Sequence, residues 1–262
     1  MLRSLLTTAF YRSTAILAEF PRALSAKWLE LTSLRRFLME HRINVVLDVG
    51  ANEGQFATKL RRLGFTGRIV SFEPDPRVYS RLVERHGHDR AWRSYPVALG
   101  DADTEASFQL AQNPLLSSFL SSIHPSNVSS SIRVPVRRLD GMLAEILEAI
   151  PAARVLLKTD TQGFNLRVLR GASGCLDQII GILAELSVIP IYEQSPPFHM
   201  AVRAYQDAGF DIVDLSLANR AVDGRVLEFD GLFVRRTLVT SGSRVLRAMR
   251  ASLQPACQAP SS

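Results

Sequence analysis

Along the chain, short unbroken apolar runs alternate with longer segments in which apolar positions recur at helical spacing. VVLDVG, residues 45–50, reads as a buried strand and EGQFATKLRRLG as a helix ended by Gly64. GRIVSFEP reads as a second strand, DPRVYSRLVERHG as a helix with Pro76 in its first turn, and AWRSYPVALG as a third strand. Strand, helix, strand at this spacing predicts a parallel sheet with right-handed crossovers.

The rhythm breaks over residues 101–138. EASFQLAQ and SIRVPVRRL can pair as strands, and between them lies NPLLSSFLSSIHPSNVSSS. A loop of that length inside a compact domain is uncommon unless it covers or lines a site, so it is the candidate substrate region. The alternation then resumes with LDGMLAEILEAI as a helix, ARVLLKTD as a strand, FNLRVLRGASGCL as a helix, IIGILAELSV as a strand and PPFHMAVRAYQDAG as a helix. The last two strands, FDIVDLS and VLEFDGLFVRR, are joined by NRAVDGR, which leaves no room for a crossover helix and predicts an antiparallel hairpin. The expected fold is α/β, a doubly wound and mostly parallel sheet closed by one antiparallel strand. Residues 1–42 have helical period and alternating charge and are expected to form an N-terminal helical segment, a packing or dimerisation appendage. Residues 237–262 are expected to end in a frayed tail after a last helical stretch.

Composition adds bounds. With 262 residues, 47% hydrophobic and 21% charged, the chain suits one large globular unit. Two cysteines, Cys175 and Cys257, lack the paired spacing of a zinc site and are too few for a disulfide scaffold, which fits a cytoplasmic setting. MLRSLLTTAFYRSTAILAEF resembles a signal peptide faintly, but Arg12 interrupts it, and nowhere do about 18 apolar residues run together. The net charge of +6 gathers at both ends of the chain. That could attract an anionic membrane surface peripherally, whereas no basic stripe interleaved with aromatics points to nucleic acid. A homodimer through the first segment is the remaining partner expectation.

The chemistry concentrates where the first strand ends. In a doubly wound sheet the first strand-to-helix turn lines the crevice in which ligands sit. Gly50 and Gly54 can take positive φ or let a ligand reach bare backbone, and the amides opening the next helix suit a carboxylate or phosphate. The dinucleotide fingerprint does not fit, because Gly50 is followed by Ala51, Asn52, Glu53 and Gly54. Glu73, followed by Pro74, stands at the offset where such folds use a carboxylate to accept ribose hydroxyls. Asp48, the glycine turn and Glu73 together describe a pocket for a nucleoside with a charged far end and no pyrophosphate. S-adenosylmethionine fits that description.

On DVGANEGQF, SFEPDP, VALGD, NPLLSSF, RRLDGML, LLKTDTQGFNLRVLRGA and FDGLFVRR, the chain resembles the FkbM family of S-adenosylmethionine-dependent methyltransferases across residues 43–236. The resemblance implies a class I methyltransferase (Rossmann-like) sheet of seven strands. It implies that the first turn holds the methionine part, that Glu73 binds the ribose, and that the adenine packs around Val97, Ala98 and Leu99. It also implies O-methylation of a small-molecule or glycolipid acceptor, such as a sugar or polyketide hydroxyl.

A hydroxyl must lose its proton as it is methylated, so a base within hydrogen-bond reach is expected. Asp160, ending LLKTD, should point into the same crevice as Gly50, as base, metal ligand or holder of the methionine amino group. Lys158, two residues earlier, should share its strand face. His124 in the polar loop and Glu185 at the end of the fifth parallel strand are the other base candidates, and no ligand cluster establishes a metal site. SPPF, residues 195–198, looks like the motif of amino-methyltransferases but follows the wrong strand and reads as a helix start. Methylation of a protein or base nitrogen, and a nucleoside-binding scaffold without catalysis, are the alternative readings.

Overall fold

The computed structural model describes residues 22–111, 117–121, 128–190 and 192–239. Helix α1 (Arg22–Glu40) precedes β1 (Val45–Val49), α2 (Gln55–Arg62), β2 (Arg68–Phe72), α3 (Pro76–His86) and β3 (Trp92–Tyr95). Then come β4 (Ala98–Leu99), β5 (Thr104–Ala111), β6 (Val128–Arg137), α4 (Leu139–Leu147), β7 (Val155–Thr159) and α5 (Asn165–Gly171). The chain closes with β8 (Ile179–Ser187), α6 (Phe198–Asp207), β9 (Phe210–Arg220), β10 (Val226–Arg235) and the single turn α7 (Arg236–Val239).

Seven strands form one sheet in the order β3-β2-β1-β7-β8-β10-β9. All neighbours are parallel except β10, which runs antiparallel to both β8 and β9. The predicted hairpin is therefore present, with β9 extending to Arg220, past the seven residues the pattern marked. The chain winds outward one way from β1 through β2 to β3, and the other way from β7 through β8. That reversal opens a crevice beyond the carboxyl ends of β1 and β7.

The segment read as a third strand is divided. Pro96 has no N–H to continue a ladder, so β3 ends at Tyr95 in the large sheet while Ala98–Leu99 pair with β6 in a small sheet of order β4-β6-β5. Strands β5 and β6 pair antiparallel as expected. The helix read over FNLRVLRGASGCL stops at Gly171, where a Cβ would lie 1.8 Å from the Gly100 carbonyl oxygen, and a separate 3-10 turn follows at Leu176–Gln178.

Strand alternation sends one set of side chains to each face of the sheet. Val45, Leu47, Val49, Val155 and Leu157 pack with Leu139, Leu143, Val168 and Tyr205 from α4, α5 and α6. Val46 and Leu156 face the other way, against Phe56, Ala57 and Leu60 of α2 and Leu34, Phe37 and Leu38 of α1. Asp48 and Lys158, one alternation further along, are cross-strand partners on this second face. Among the described residues no helix is long and apolar enough to cross a membrane.

Candidate functional site

A cavity of about 540 Å³ lies over the reversal, a size that suits a small-molecule site. Its two halves are built by different parts of the chain.

The first half belongs to β1, β2 and β4. Gly50, Ala51 and Asn52 of the first turn line it, with Glu73, Pro74, Ala98 and Leu99. Gly50 and Asn52 have φ of 73° and 48°, and Gly54 has φ of 84°. Asn52 closes the turn through its side chain, its Oδ1 accepting from the Glu53 amide at 2.8 Å and from Gln55 Nε2 at 3.1 Å. Glu73 is buried, its Oε2 accepting from the Asn52 amide and its Oε1 from the Asp75 amide, each at 2.9 Å. Burial pushes its carboxyl up to about 7, against the pull of those two amides. Above Ala98 and Leu99, Phe108 and Phe119 close an apolar wall, their rings 4.9 Å apart. Phe119 and Ser117 come from the stretch expected to form the substrate region, while Ser118 of the same stretch donates to the Gln162 carbonyl oxygen at 2.8 Å. His124 lies outside the described residues. Val97 packs against the core rather than lining the cavity.

Two of the expected cofactor-side residues sit behind the cavity. Asp48 is fully buried beneath the turn, on the α2 face of the sheet, with Lys158 Nζ 2.9 Å from its Oδ1. Gly54 makes room for protein: a Cβ there would lie 2.3 Å from His86 Nε2, which itself contacts the Gly54 carbonyl oxygen at 3.0 Å. Gly50 is likewise required by a close approach, since its Cβ would fall 2.0 Å from the Asp160 carbonyl oxygen. The bare backbone of this turn therefore serves the seam between β1 and β7 as well as the cavity.

The second half belongs to β7, β8 and the β9–β10 hairpin. Asp160 and Glu185 line it, and sequence analysis missed their neighbours Asn219, Glu228 and Asp230. Asp230 lies directly opposite Glu185 in the β8–β10 register, a juxtaposition visible only once the hairpin's register is known. Asp160 is within hydrogen-bonding reach of Glu185 and accepts from Gln162 Nε2 at 3.2 Å. Burial, then the charges of Asp160, Glu228 and Asp230, push Glu185 up to about 10. Burial and Asp160 push Asp230 up to about 6. Asp160 does not cap a helix, because the N-cap of α5 is Phe164 and no side chain bonds there. Below it, Asn165 Oδ1 accepts from Thr161 Oγ1 at 2.7 Å while its Nδ2 donates to the Glu185 carbonyl oxygen at 2.9 Å, locking the β7 loop to β8. Among the described residues no group of three or more His, Cys, Asp or Glu side chains is placed to hold a metal ion. Pro197 caps α6, and SPPF does not reach this cavity.

The residues fit S-adenosylmethionine. A buried carboxylate lines the space where a ribose would lie, and an apolar wall of Ala98, Leu99, Phe108 and Phe119 suits a purine, while the turn's own amides are taken up within the protein, those of Gly50 and Ala51 by the Phe72 carbonyl oxygen and that of Asn52 by Glu73. A seven-stranded sheet in this order, with a cavity of this make-up at its reversal, is that of a class I S-adenosylmethionine-dependent methyltransferase. A model described as the methyltransferase FkbM domain matches residues 48–212, and the chain belongs to that family. It is 30% identical over 221 residues to the 2-O-methyltransferase NoeI of Sinorhizobium fredii (strain NBRC 101917 / NGR234), a similarity spanning 72% of this chain and 81% of the relative. Among solved structures, the magnesium protoporphyrin IX methyltransferase ChlM of Synechocystis PCC 6803, with bound S-adenosylmethionine, is similar at a TM-score of 0.45 and 10% identity over 80% of each chain. Aeropyrum pernix fibrillarin, with natively bound S-adenosylmethionine, is similar at 0.42 and 13% identity over 73% of this chain and 66% of the other.

Proposed function

We propose that this methyltransferase acts on a hydroxyl oxygen of a carbohydrate, glycolipid or secondary-metabolite acceptor, with Asp160 as the base. The observation that carries the reading is the pairing of Asp160 with Glu185 beside the cofactor turn. Two carboxyl groups in contact favour holding one proton between them, and Glu185, the deeper of the two, is the one that keeps it. Asp160 is the more exposed of the two and is given the role of base.

In this reading Gly50, Ala51 and Asn52 hold the methionine part, Glu73 accepts the ribose hydroxyls, and Ala98 and Leu99 with the two phenylalanines enclose the adenine. The bound cofactor supplies an electrophilic methyl group on sulfonium sulfur. Asp160 takes the acceptor's hydroxyl proton as the new carbon–oxygen bond forms and the carbon–sulfur bond breaks. Much of the acceleration comes from alignment and exclusion of water. The similarity to a 2-O-methyltransferase supports oxygen as the atom methylated.

The test is to incubate the protein with methyl-labelled S-adenosylmethionine and, separately, a polar-lipid extract, a panel of methyl glycosides and a bulk protein fraction. Label in a methyl ether of a sugar supports the reading. Label confined to nitrogen of a macromolecule sinks it.

A further inference from the structure

Lys158 stands where the two halves of the cavity meet. Its side chain leaves the central strand on the α2 face, beside Asp48 of the neighbouring strand. Three oxygens surround its ammonium: Asp48 Oδ1 at 2.9 Å, the Gly50 carbonyl oxygen at 3.3 Å and Asp160 Oδ2 at 3.6 Å. The Phe56 ring, 5.4 Å from Nζ to centroid, covers another side. A lysine ammonium has three donors, and here three separate oxygens stand around it.

These oxygens belong to different machinery. Gly50 ends the strand that leads into the cofactor turn. Asp160 begins the loop that carries the base. Asp48 is buried, with no aligned hydrogen-bond donor on either oxygen among the described residues, so the ammonium is its counter-charge. Burial works to lower Lys158, but Asp48 and Asp160 outweigh it and hold the ammonium charged above the usual lysine range. A lysine so held is no proton acceptor at neutral pH.

We propose that Lys158 is the positioning residue of this enzyme, joining the Gly50 turn to the Asp160 carboxylate so that cofactor and base keep one fixed relation. The proposal rests on Asp160 being the base. It differs from a purely structural ion pair, in which Lys158 would serve only to neutralise Asp48.

The full chain carrying Asp48→Asn with Lys158→Met removes both buried charges with little change of volume, and so separates these roles. Three quantities are measured: thermal unfolding, calorimetric affinity for S-adenosylhomocysteine, and labelled methyl transfer to the polar-lipid extract. We expect a melting temperature close to the parent's, weaker product affinity because the turn is untied, and a transfer rate at saturating cofactor lower by roughly a hundredfold, as for a displaced reacting group. A folded double variant with parental affinity and rate overturns the proposal.

Should that variant not fold, Lys158→Arg decides. It keeps a cation opposite Asp48, but its planar fork cannot place donors around a single point. A transfer rate down at least about tenfold, with KM for the lipid extract unchanged, supports positioning; a folded Arg variant with the parental rate overturns it. Asp160→Asn, assayed alongside, keeps the two claims apart. Its parental rate would remove Asp160 as base, whereas an inactive Asp160→Asn beside a fully active double variant would remove only the role given to Lys158.

Discussion

The Asn52 amide donates to Glu73 Oε2 at 2.9 Å, so the acid that ends the second strand holds the turn that follows the first. One carboxylate therefore shapes the cavity and also lines it. Replacing it acts on both.

Glu73→Ala removes hydrogen bonds made by an ionised group, each worth about 1.5–3 kcal/mol. We expect S-adenosylmethionine affinity to fall at least tenfold by calorimetry. Unchanged affinity would remove Glu73 from the site.

Because burial raises Glu73 to about 7, the free enzyme holds a partial proton at neutral pH. Ribose hydroxyls donate more strongly to the ionised form, which has two acceptor oxygens where the protonated carboxyl keeps one, so cofactor affinity should rise between pH 6 and pH 8, with proton release near pH 7. Calorimetry in buffers of different ionisation enthalpy reads that release directly, and a heat independent of buffer would contradict it. Stability runs the other way. The folded value lies above the unfolded 4.5, so this group's contribution is fully present below pH 4.5 and is lost as pH rises through 7.

Glu185 and Asp160 should respond differently to the same change. Glu185 keeps its proton up to about pH 10, and an amide imitates a protonated carboxyl. Glu185→Gln is expected to retain transfer within about tenfold, while Asp160→Asn should lose the roughly 10²- to 10⁴-fold of general-base catalysis with cofactor binding intact. Steady-state rates on the two variants check the order, and equal losses would end the assignment of separate roles.

Gly50→Ala places a methyl group 2.0 Å from a backbone oxygen, at positive φ. Left-handed conformation alone costs about 1–2 kcal/mol for such a residue, and the Asp160 backbone cannot step aside without opening the β1–β7 seam. At Gly54 the obstacle is the His86 ring, so adding His86→Ala should recover part of the stability lost in Gly54→Ala. Denaturant unfolding of the four proteins tests this. No rescue by His86→Ala would show that strain at positive φ dominates at Gly54.

Much of the cofactor half was legible because its residues follow strand ends in chain order. Gly50, Asn52 and Glu73 could be placed by counting from apolar runs, and Asp160 and Glu185 by the same rule. What escaped depends on pairing between distant strands. Asp48 looked like a ligand-facing acid until the β1–β7 register set it against Lys158. Glu228 and Asp230 joined the site only through the register that sets Asp230 against Glu185. An alternating strand pattern states which residues share a face, never which neighbour that face will meet. The break at Pro96 was written in the sequence, in a residue without a ladder donor, and was passed over because the apolar run continued beyond it.

The reversed strand β10 brings Glu228 and Asp230 back over a cavity whose opposite wall runs from Gly50 through Glu73 and Leu99 to Phe119. In the proposed reading the methyl donor rests against the earlier of these stretches and the methyl recipient against the later. On that reading, substitutions along the closing hairpin are expected to change the choice of recipient while the grip on the donor stays as it was.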